Sequence, residues 1–205
     1  GSALATAGVV QVEAAQEVLD AFSGTLTREY ETAMARKFGL AAYDQDLSLG
    51  LMRLMTRTGA DFTNTFRALR EVLPQSQDQS QPPRAGPGIP PALEAVLAEA
   101  GLADEDEREA WVAWVDAYAE ALTRDGMEAA TRRKMQDAAN PVYVLRNHLC
   151  QQAIAAAEKG DDAPLHALLE VMRNPYEEQA GKDAYKKVVP EEQAGPGVSV
   201  LSCSS

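Results

Sequence analysis

A cysteine lies third from the end of the chain, within residues 200–205. Its neighbours are small and mostly polar, which predicts an irregular, mobile tail with an accessible thiol. A mobile thiolate can exchange with a partner thiol or disulfide, and the tail has no histidine to serve as a base for nucleophilic catalysis. Cys203 is therefore a candidate redox residue, although the residues alone leave open an unspecialised surface thiol.

A second group of polar residues comprises Asn140, Pro141, Arg146 and Asn147. An asparagine followed by a proline is typical of a helix start, with Asn140 as the cap and Pro141 in the first turn. Arg146 would then lie near the middle of a mostly apolar helix. An unpaired buried guanidinium is costly, so we expect Arg146 to bind a carboxylate or backbone carbonyls. This predicts a structural motif in preference to a catalytic one.

The remaining thiol and the two imidazoles do not form a recognisable reactive set. His148 and His166 lack the spacing of a zinc motif. On a helix, Cys150 would point about 200° away from His148, which excludes a nucleophile–base pair. We predict that Cys150 is a small buried apolar residue and that this chain contains no catalytic, cofactor-binding or metal-binding residue.

The composition excludes several functional classes. The formal net charge is −12 and the isoelectric point is near 4.6, whereas nucleic-acid binding needs clustered Lys and Arg, and an anionic membrane would repel this chain. No apolar run approaches the roughly 20 residues of a membrane-spanning helix. We expect a soluble protein with no nucleic-acid or membrane partner.

Apolar residues recur at three- and four-residue steps through most of the chain, which predicts an all-α fold, a bundle of about eight helices. A first helix is expected to end near Gly24 and a second to close at Gly39, because glycine often terminates helices. Asp44, Asp61 and Asp104 each precede an amphipathic segment and are predicted helix caps.

Composition also predicts the domain organisation. Residues 1–73 form the N-terminal part of the bundle, and residues 74–91, rich in Pro, Gly, Gln and Ser, form a flexible linker. Residues 92–174 form the C-terminal helical part, in which the two tryptophans lie in the core. Residues 175–205 form an irregular polar tail that carries the redox cysteine.

Several short blocks, taken in order, resemble the selenoprotein O family. They are Tyr30 with residues 35–40, residues 59–63, Phe66, Arg67, Leu69, Met135, residues 140–147, 151–154 and 157–161, Leu168, Leu169, Val171, residues 174–176 and residues 201–205. Each block is weak alone, and their order makes the resemblance specific. Cys203 matches the tail position at which family members carry selenocysteine or cysteine, which implies a redox role.

The resemblance implies a longer protein with a kinase-like fold that binds ATP in an inverted orientation. With Mg or Mn, such a protein transfers AMP to Ser, Thr or Tyr hydroxyls. The family's nucleotide site lies N-terminal to the matched blocks, and this chain has no glycine-rich phosphate loop ahead of a strand and no strand lysine with a helix glutamate partner. Asp61, followed by Phe and Thr, is expected at a helix start and not in a metal site.

The resemblance therefore implies that the chain is the helical C-terminal region of a protein AMP-transferase, inactive in isolation. Its partners would be the N-terminal kinase-like core of the same protein and the protein substrates, and ATP and Mg or Mn would be cofactors of the full-length enzyme only. Members are mitochondrial in eukaryotes and cytoplasmic in bacteria. The alternative is a stand-alone acidic helical module that binds a basic protein.

Overall fold

The computed structural model describes residues 12–74 and 88–188, and all regular secondary structure in these two stretches is helical, with no β-strand. The α-helices are α1 (Val12–Phe38), α2 (Gln45–Thr58), α3 (Phe62–Ala68), α4 (Pro91–Glu99), α5 (Glu105–Asp125), α6 (Ala129–Ala139), α7 (Asn147–Ala157) and α8 (Ala163–Arg173), and the 3-10 helices are Leu69–Glu71 and Asp183–Lys186. The prediction of an all-α fold with about eight helices is confirmed. Most of the predicted linker, the end of the predicted tail and Cys203 lie outside the described residues.

The first helix is longer than expected. α1 runs without interruption for 27 residues, so the prediction of a break near Gly24 is wrong. A glycine inside a helix costs only about 1 kcal/mol relative to alanine, and the residues on both sides of Gly24 continue the helical pattern. Even this helix is not apolar enough to cross a membrane, and the same holds for every other helix in the described part of the chain.

The predicted caps form as local chemistry requires. Asp44, Asp61 and Asp104 each accept a hydrogen bond from the backbone N–H three residues further on, at 2.9–3.0 Å. Each carboxylate also lies at the positive end of its helix dipole. The starts of α2, α3 and α5 are therefore set by residues within one turn.

The main hydrophobic core is built around the aromatic face of α5. Trp111 and Tyr118 are fully buried and Trp114 is 7% exposed, and the Trp114 indole N–H donates to the carbonyl of Leu47 at 3.0 Å. α2 packs on α5, α1 on α6, and α3 on α4. Residues from both sides of the predicted linker thus share one core, while the division into separate parts stays a prediction.

A second, smaller core lies under the hairpin of α7 and α8. It consists of Val142, Tyr143 and Val171, with Met172 and Tyr185 packed against it. The apolar residues of α8 are only partly buried, because Leu165 and Leu169 are about half exposed whereas Leu168 is buried.

The end of α1 generates a test of the fold. Gly39 has a φ of +69°, and a Cβ there would lie 2.6 Å from Cγ of Arg132 and 2.8 Å from Cγ of Gln136. We expect Gly39→Ala to lower the free energy of unfolding by about 3 kcal/mol, from left-handed strain plus overpacking. Gly59 is a matched control, because its φ is +72° and a Cβ would meet nothing within 4 Å.

Gly59→Ala should cost only about 1 kcal/mol, the strain alone. Urea denaturation of both variants measures the difference. Equal losses at the two positions would contradict the close packing of Gly39 against α6.

Candidate functional site

Residues from three distant sequence blocks meet at one polar cluster between α1, α3 and the segment that joins α6 to α7. We call this cluster the polar junction and define it as Lys37, Asp61, Arg67, Asn140 and Arg146. All five belong to the blocks that carry the family resemblance. Their side chains make hydrogen bonds across 70 to 103 positions of sequence, so the fold and not local spacing brings them together.

The strongest contact in the polar junction is the ion pair of Arg146 and Asp61. Nη1 and Nη2 of Arg146 each donate to a different oxygen of Asp61, both at 2.9 Å, and the two side chains are 12% and 18% exposed. One of these oxygens also accepts from the backbone N–H of Asn64 to cap α3. The carboxylate expected for Arg146 is therefore Asp61, and both of its oxygens are occupied.

The pKa of the Asp61 carboxyl reflects this arrangement. Burial raises the pKa, but the hydrogen bond from Arg146, the N–H of Asn64 and the charge of Arg146 outweigh burial and hold the pKa below its ordinary value of 3.8. The charged form is the one that the fold stabilises.

Asn140 does not start a helix, so that expectation is wrong, and so are the expected positions of Pro141 in a first turn and of Arg146 near the middle of a helix. It ends α6, and the chain is non-helical through residues 141–146, with Arg146 in the cap position before Asn147 opens α7. The physical reason is tertiary, because the N–H groups of Val142 and Tyr143 both donate to the carbonyl of Pro175, at 2.8 and 3.0 Å. If this segment were helical, the buried side chains of Val142 and Tyr143 would leave the smaller core.

The amide of Asn140 instead links α6 to the end of α1. Its Nδ2 donates to the carbonyl oxygen of Lys37 at 3.0 Å, and its Oδ1 accepts from Nζ of Lys37 at 3.2 Å. Nζ of Lys37 also donates to the carbonyl of Ala139 and lies 5.3 and 5.2 Å from the ring centroids of Phe62 and Phe66. Burial lowers the pKa of Lys37, and aromatic faces and carbonyl oxygens partly offset that cost.

Arg67 completes the polar junction on the side of α6. Its Nη1 donates to Oδ1 of Asp137 at 2.8 Å and to the carbonyl of Asn140 at 3.3 Å. Arg70 binds the same Asp137 oxygen at 3.0 Å. A cleft of about 490 Å³ opens beside Arg67 and Arg70. Lys186, which lines this cleft, is paired with Glu178 and Asp183. The cleft therefore offers no unpaired charge at Lys186 to a ligand.

Sequence reasoning missed a buried polar row on α6. Arg132, Gln136 and Asn140 are each at most 5% exposed, and their four-residue spacing places them on one side of the helix. Nε2 of Gln136 donates to the Tyr118 hydroxyl at 3.0 Å and to the carbonyl of Phe38 at 3.3 Å. The four-residue spacing could have shown that these side chains share one side of the helix. It could not have shown that this side is buried, because polar residues at helical spacing are typical of a solvent-exposed face.

Cys150 and His148 do not belong to the polar junction. Cys150 is partly exposed, so the expectation that it is buried is wrong. Burial and the charge of Arg146 lower the pKa of His148. Within residues 12–74 and 88–188, no group of three His, Cys, Asp or Glu side chains could hold a metal ion.

The blocks that supply the polar junction lie within a region that matches a known protein family. A family model described as "Protein adenylyltransferase SelO" matches residues 3–173. This chain belongs to the SelO family. The SelO model therefore covers α1 to α8, including every residue of the polar junction.

Individual SelO relatives agree with the family match. The chain is 38% identical over 196 residues to "Protein nucleotidyltransferase YdiU" of Bordetella parapertussis, covering 94% of this chain and 35% of that protein. It is 40% identical over 197 residues to the protein of the same name from Azoarcus sp., covering 94% and 36%. The chain spans about a third of the length of the curated relatives it matches.

The ion pair of the polar junction generates a second test. Asp61→Asn keeps a side chain that can cap α3 but removes the charge facing Arg146. We expect a loss of about 2 kcal/mol in the free energy of unfolding at pH 7, because the guanidinium is left partly buried and unpaired. A double-mutant cycle with Arg146→Gln should give a coupling of about 1 to 2 kcal/mol. The exposed Glu170–Arg173 pair is the control, and Glu170→Gln should change stability by less than about 0.5 kcal/mol.

The same pair has a defined pH dependence. Since the folded-state pKa of Asp61 is below 3.8, the contribution of its charge is present above about pH 4 and is lost as pH falls through the lower, folded-state value. The difference in the free energy of unfolding between the parent chain and Asp61→Asn should therefore decrease as the pH falls below about 5. A difference that stays constant down to pH 2, measured by urea denaturation, would contradict the role of the charge.

Proposed function

We propose that this chain is the helical C-terminal region of a SelO-type protein AMP-transferase and packs beside the kinase-like part of the same protein. The observation that carries the proposal is the SelO match over residues 3–173, in a chain that spans only about 35% of its relatives. The block at residues 201–205 supports the C-terminal placement. The YdiU relatives named above are bacterial, which favours a cytoplasmic protein, and a eukaryotic member would be mitochondrial.

In the longer protein, ATP and Mg or Mn supply AMP transfer to Ser, Thr or Tyr hydroxyls, and the nucleotide site lies outside this chain. The acidic residue here that most resembles a metal aspartate is Asp61, because Phe and Thr follow it. It does not fit that role, since its two oxygens bind Arg146 and the N–H of Asn64. A divalent cation would have to displace the guanidinium. The polar junction thus serves to hold helices together, and no step of AMP transfer is assigned to it.

The proposal predicts that the 205-residue chain alone transfers no AMP. Incubation with labelled ATP, Mg or Mn and generic protein acceptors should give no incorporation above a boiled control, because the residues that bind phosphate and metal lie elsewhere. The longer protein, prepared in the same way, should label itself or the acceptors. Incorporation by the isolated chain would overturn the assignment of the nucleotide site to the remaining two thirds.

The alternative, a stand-alone acidic module, rests on the net charge of −12. The gene distinguishes the two functions directly. A kinase-like coding sequence in frame before Ala3 supports the proposed function, whereas a natural start codon there would favour the module.

We further propose that Cys203, which lies outside the described residues, is a redox residue of the longer protein. Its thiol would form a disulfide with a cysteine near the nucleotide site, as two thiols lose two electrons and two protons to an added oxidant such as oxidised glutathione. The bond would restrain that site.

Mass spectrometry of non-reduced digests of the longer protein tests this role. We expect a crosslinked peptide that contains Cys203 after oxidation and that disappears in Cys203→Ser. The partly exposed Cys150 provides the control, and Cys150→Ser should leave the crosslink unchanged. A free Cys203 thiol under oxidation, or pairing only with Cys150, would contradict the redox link.

A further inference from the structure

The N-terminal half of α1 carries large apolar side chains with nothing packed over most of their surface. Val18, Leu19, Phe22, Leu26 and Tyr30 are 68%, 54%, 65%, 59% and 49% exposed. We call these five residues the α1 stripe. Soluble monomeric proteins rarely leave a contiguous apolar patch of more than a few hundred Å² in water, and larger patches mark interaction sites. Five such side chains on one helix reach that size.

Helical geometry shows that the α1 stripe faces a different direction from the buried part of the helix. At 100° per residue, the five side chains fall within an arc of about 120°. Met34, Ala35 and Phe38, which are buried in the bundle, centre on a direction roughly 140° away. The last turns of α1 therefore bury one side of the helix in the bundle, and the first turns present the other side.

The charges on α1 reinforce this separation. Glu17 and Asp20 are exposed and lie on the side of the helix that continues the direction of Met34 and Phe38, whereas the exposed Glu29 lies within the arc of the α1 stripe. If the bundle simply extended along α1, that extension would meet two carboxylates and leave the apolar residues in water. The N-terminal half of α1 is instead amphipathic, with its apolar side turned away from the bundle and available to a second body.

The part of the protein outside this chain is the occupant that the observations favour. The chain spans only 35–36% of the length of its YdiU relatives, so the longer protein of the proposed function would add a body about twice its size in the same polypeptide. A membrane occupant is disfavoured because the helix carries acidic side chains and the chain has a net charge of −12. That same charge favours a docking surface with basic residues at its border.

We propose that the α1 stripe is the surface by which this helical region docks onto the remainder of the longer protein, in an apolar groove bordered by basic side chains. The proposal rests on the proposed function only in requiring that longer polypeptide. α1 then connects two bodies, with its C-terminal turns anchored in the bundle and its N-terminal turns in the partner groove. Tyr30, whose ring lies edge-on to Tyr43 at a centroid distance of 6.0 Å, marks the boundary between them.

One pair of substitutions, placed in two proteins, tests the docking. Phe22→Asp with Leu26→Asp should leave the thermal midpoint of the 205-residue chain nearly unchanged, because both residues are exposed there. In the longer protein the same double variant should lower the midpoint by roughly 3 to 5 °C, because the groove would then receive two carboxylates. Ala14→Asp with Ala21→Asp is the matched control, since both alanines are exposed on α1 but lie outside the stripe.

Hydrogen–deuterium exchange supplies the second readout. Amides of residues 15–30 should exchange at least about tenfold more slowly in the longer protein than in the 205-residue chain, and the stripe variant should abolish that protection. Equal protection in the two proteins, or an unchanged midpoint of the longer protein carrying the stripe variant, would overturn the proposal.

A 205-residue chain that sediments as a dimer and becomes monomeric with the stripe variant, while the longer protein is unaffected, would show that a second copy covers the stripe and would overturn the proposal. AMP transfer by the parent longer protein is measured separately. Its absence would remove the proposed enzyme function without changing what the midpoint and exchange data say about docking.

Discussion

The C-terminal end of α1 is buried in the centre of the protein, and its carbonyl oxygens must find hydrogen-bond donors there. The last carbonyls of a helix have no partner within the helix, and burying them unpaired is costly. The carbonyl of Lys37 accepts from Asn140, and that of Phe38 accepts from the Tyr118 hydroxyl and from Gln136. The buried polar row of α6 therefore exists because α1 ends where it does.

This requirement accounts for several neighbouring features. Gly39 leaves room for the stems of Arg132 and Gln136, and Arg132 is held by a hydrogen bond to the carbonyl of Met127 at 2.7 Å. Burial raises the pKa of Tyr118, so its hydroxyl stays protonated and can donate to Phe38. Neutral donors thus satisfy the innermost carbonyls, while the charged Lys37 and Arg67 lie nearer the surface, where desolvation is smaller.

The polar junction connects this centre to the hairpin of α7 and α8. The hairpin has only a small core of its own, with Val142, Tyr143 and Val171 fully enclosed. Its attachment to the bundle depends on directed contacts, chiefly Arg146 with Asp61 and the Asn64 side chain with the carbonyl of Lys186 at 3.2 Å. Directed contacts fix orientation better than apolar contact does, and the five residues of the polar junction, all from family blocks, lie at or next to helix ends.

The sequence by itself determined the features that depend on residues within one turn of each other. The caps at Asp44, Asp61 and Asp104 and the aromatic face of α5 were predicted correctly, because a cap and an apolar stripe are set by spacing of three or four residues. The family was recognised from the order of short blocks. The linker, the domain division and the redox role of Cys203 stay predictions.

Only the tertiary structure decided the features that depend on distant partners. Asn140 carries the local signal of a helix start, yet it closes α6. The carbonyls of Lys37 and Pro175, 103 residues before Asn140 and 32 residues after Tyr143, outweigh the local preference. Local propensities amount to about 1 kcal/mol, and a set of buried hydrogen bonds and side chains exceeds that.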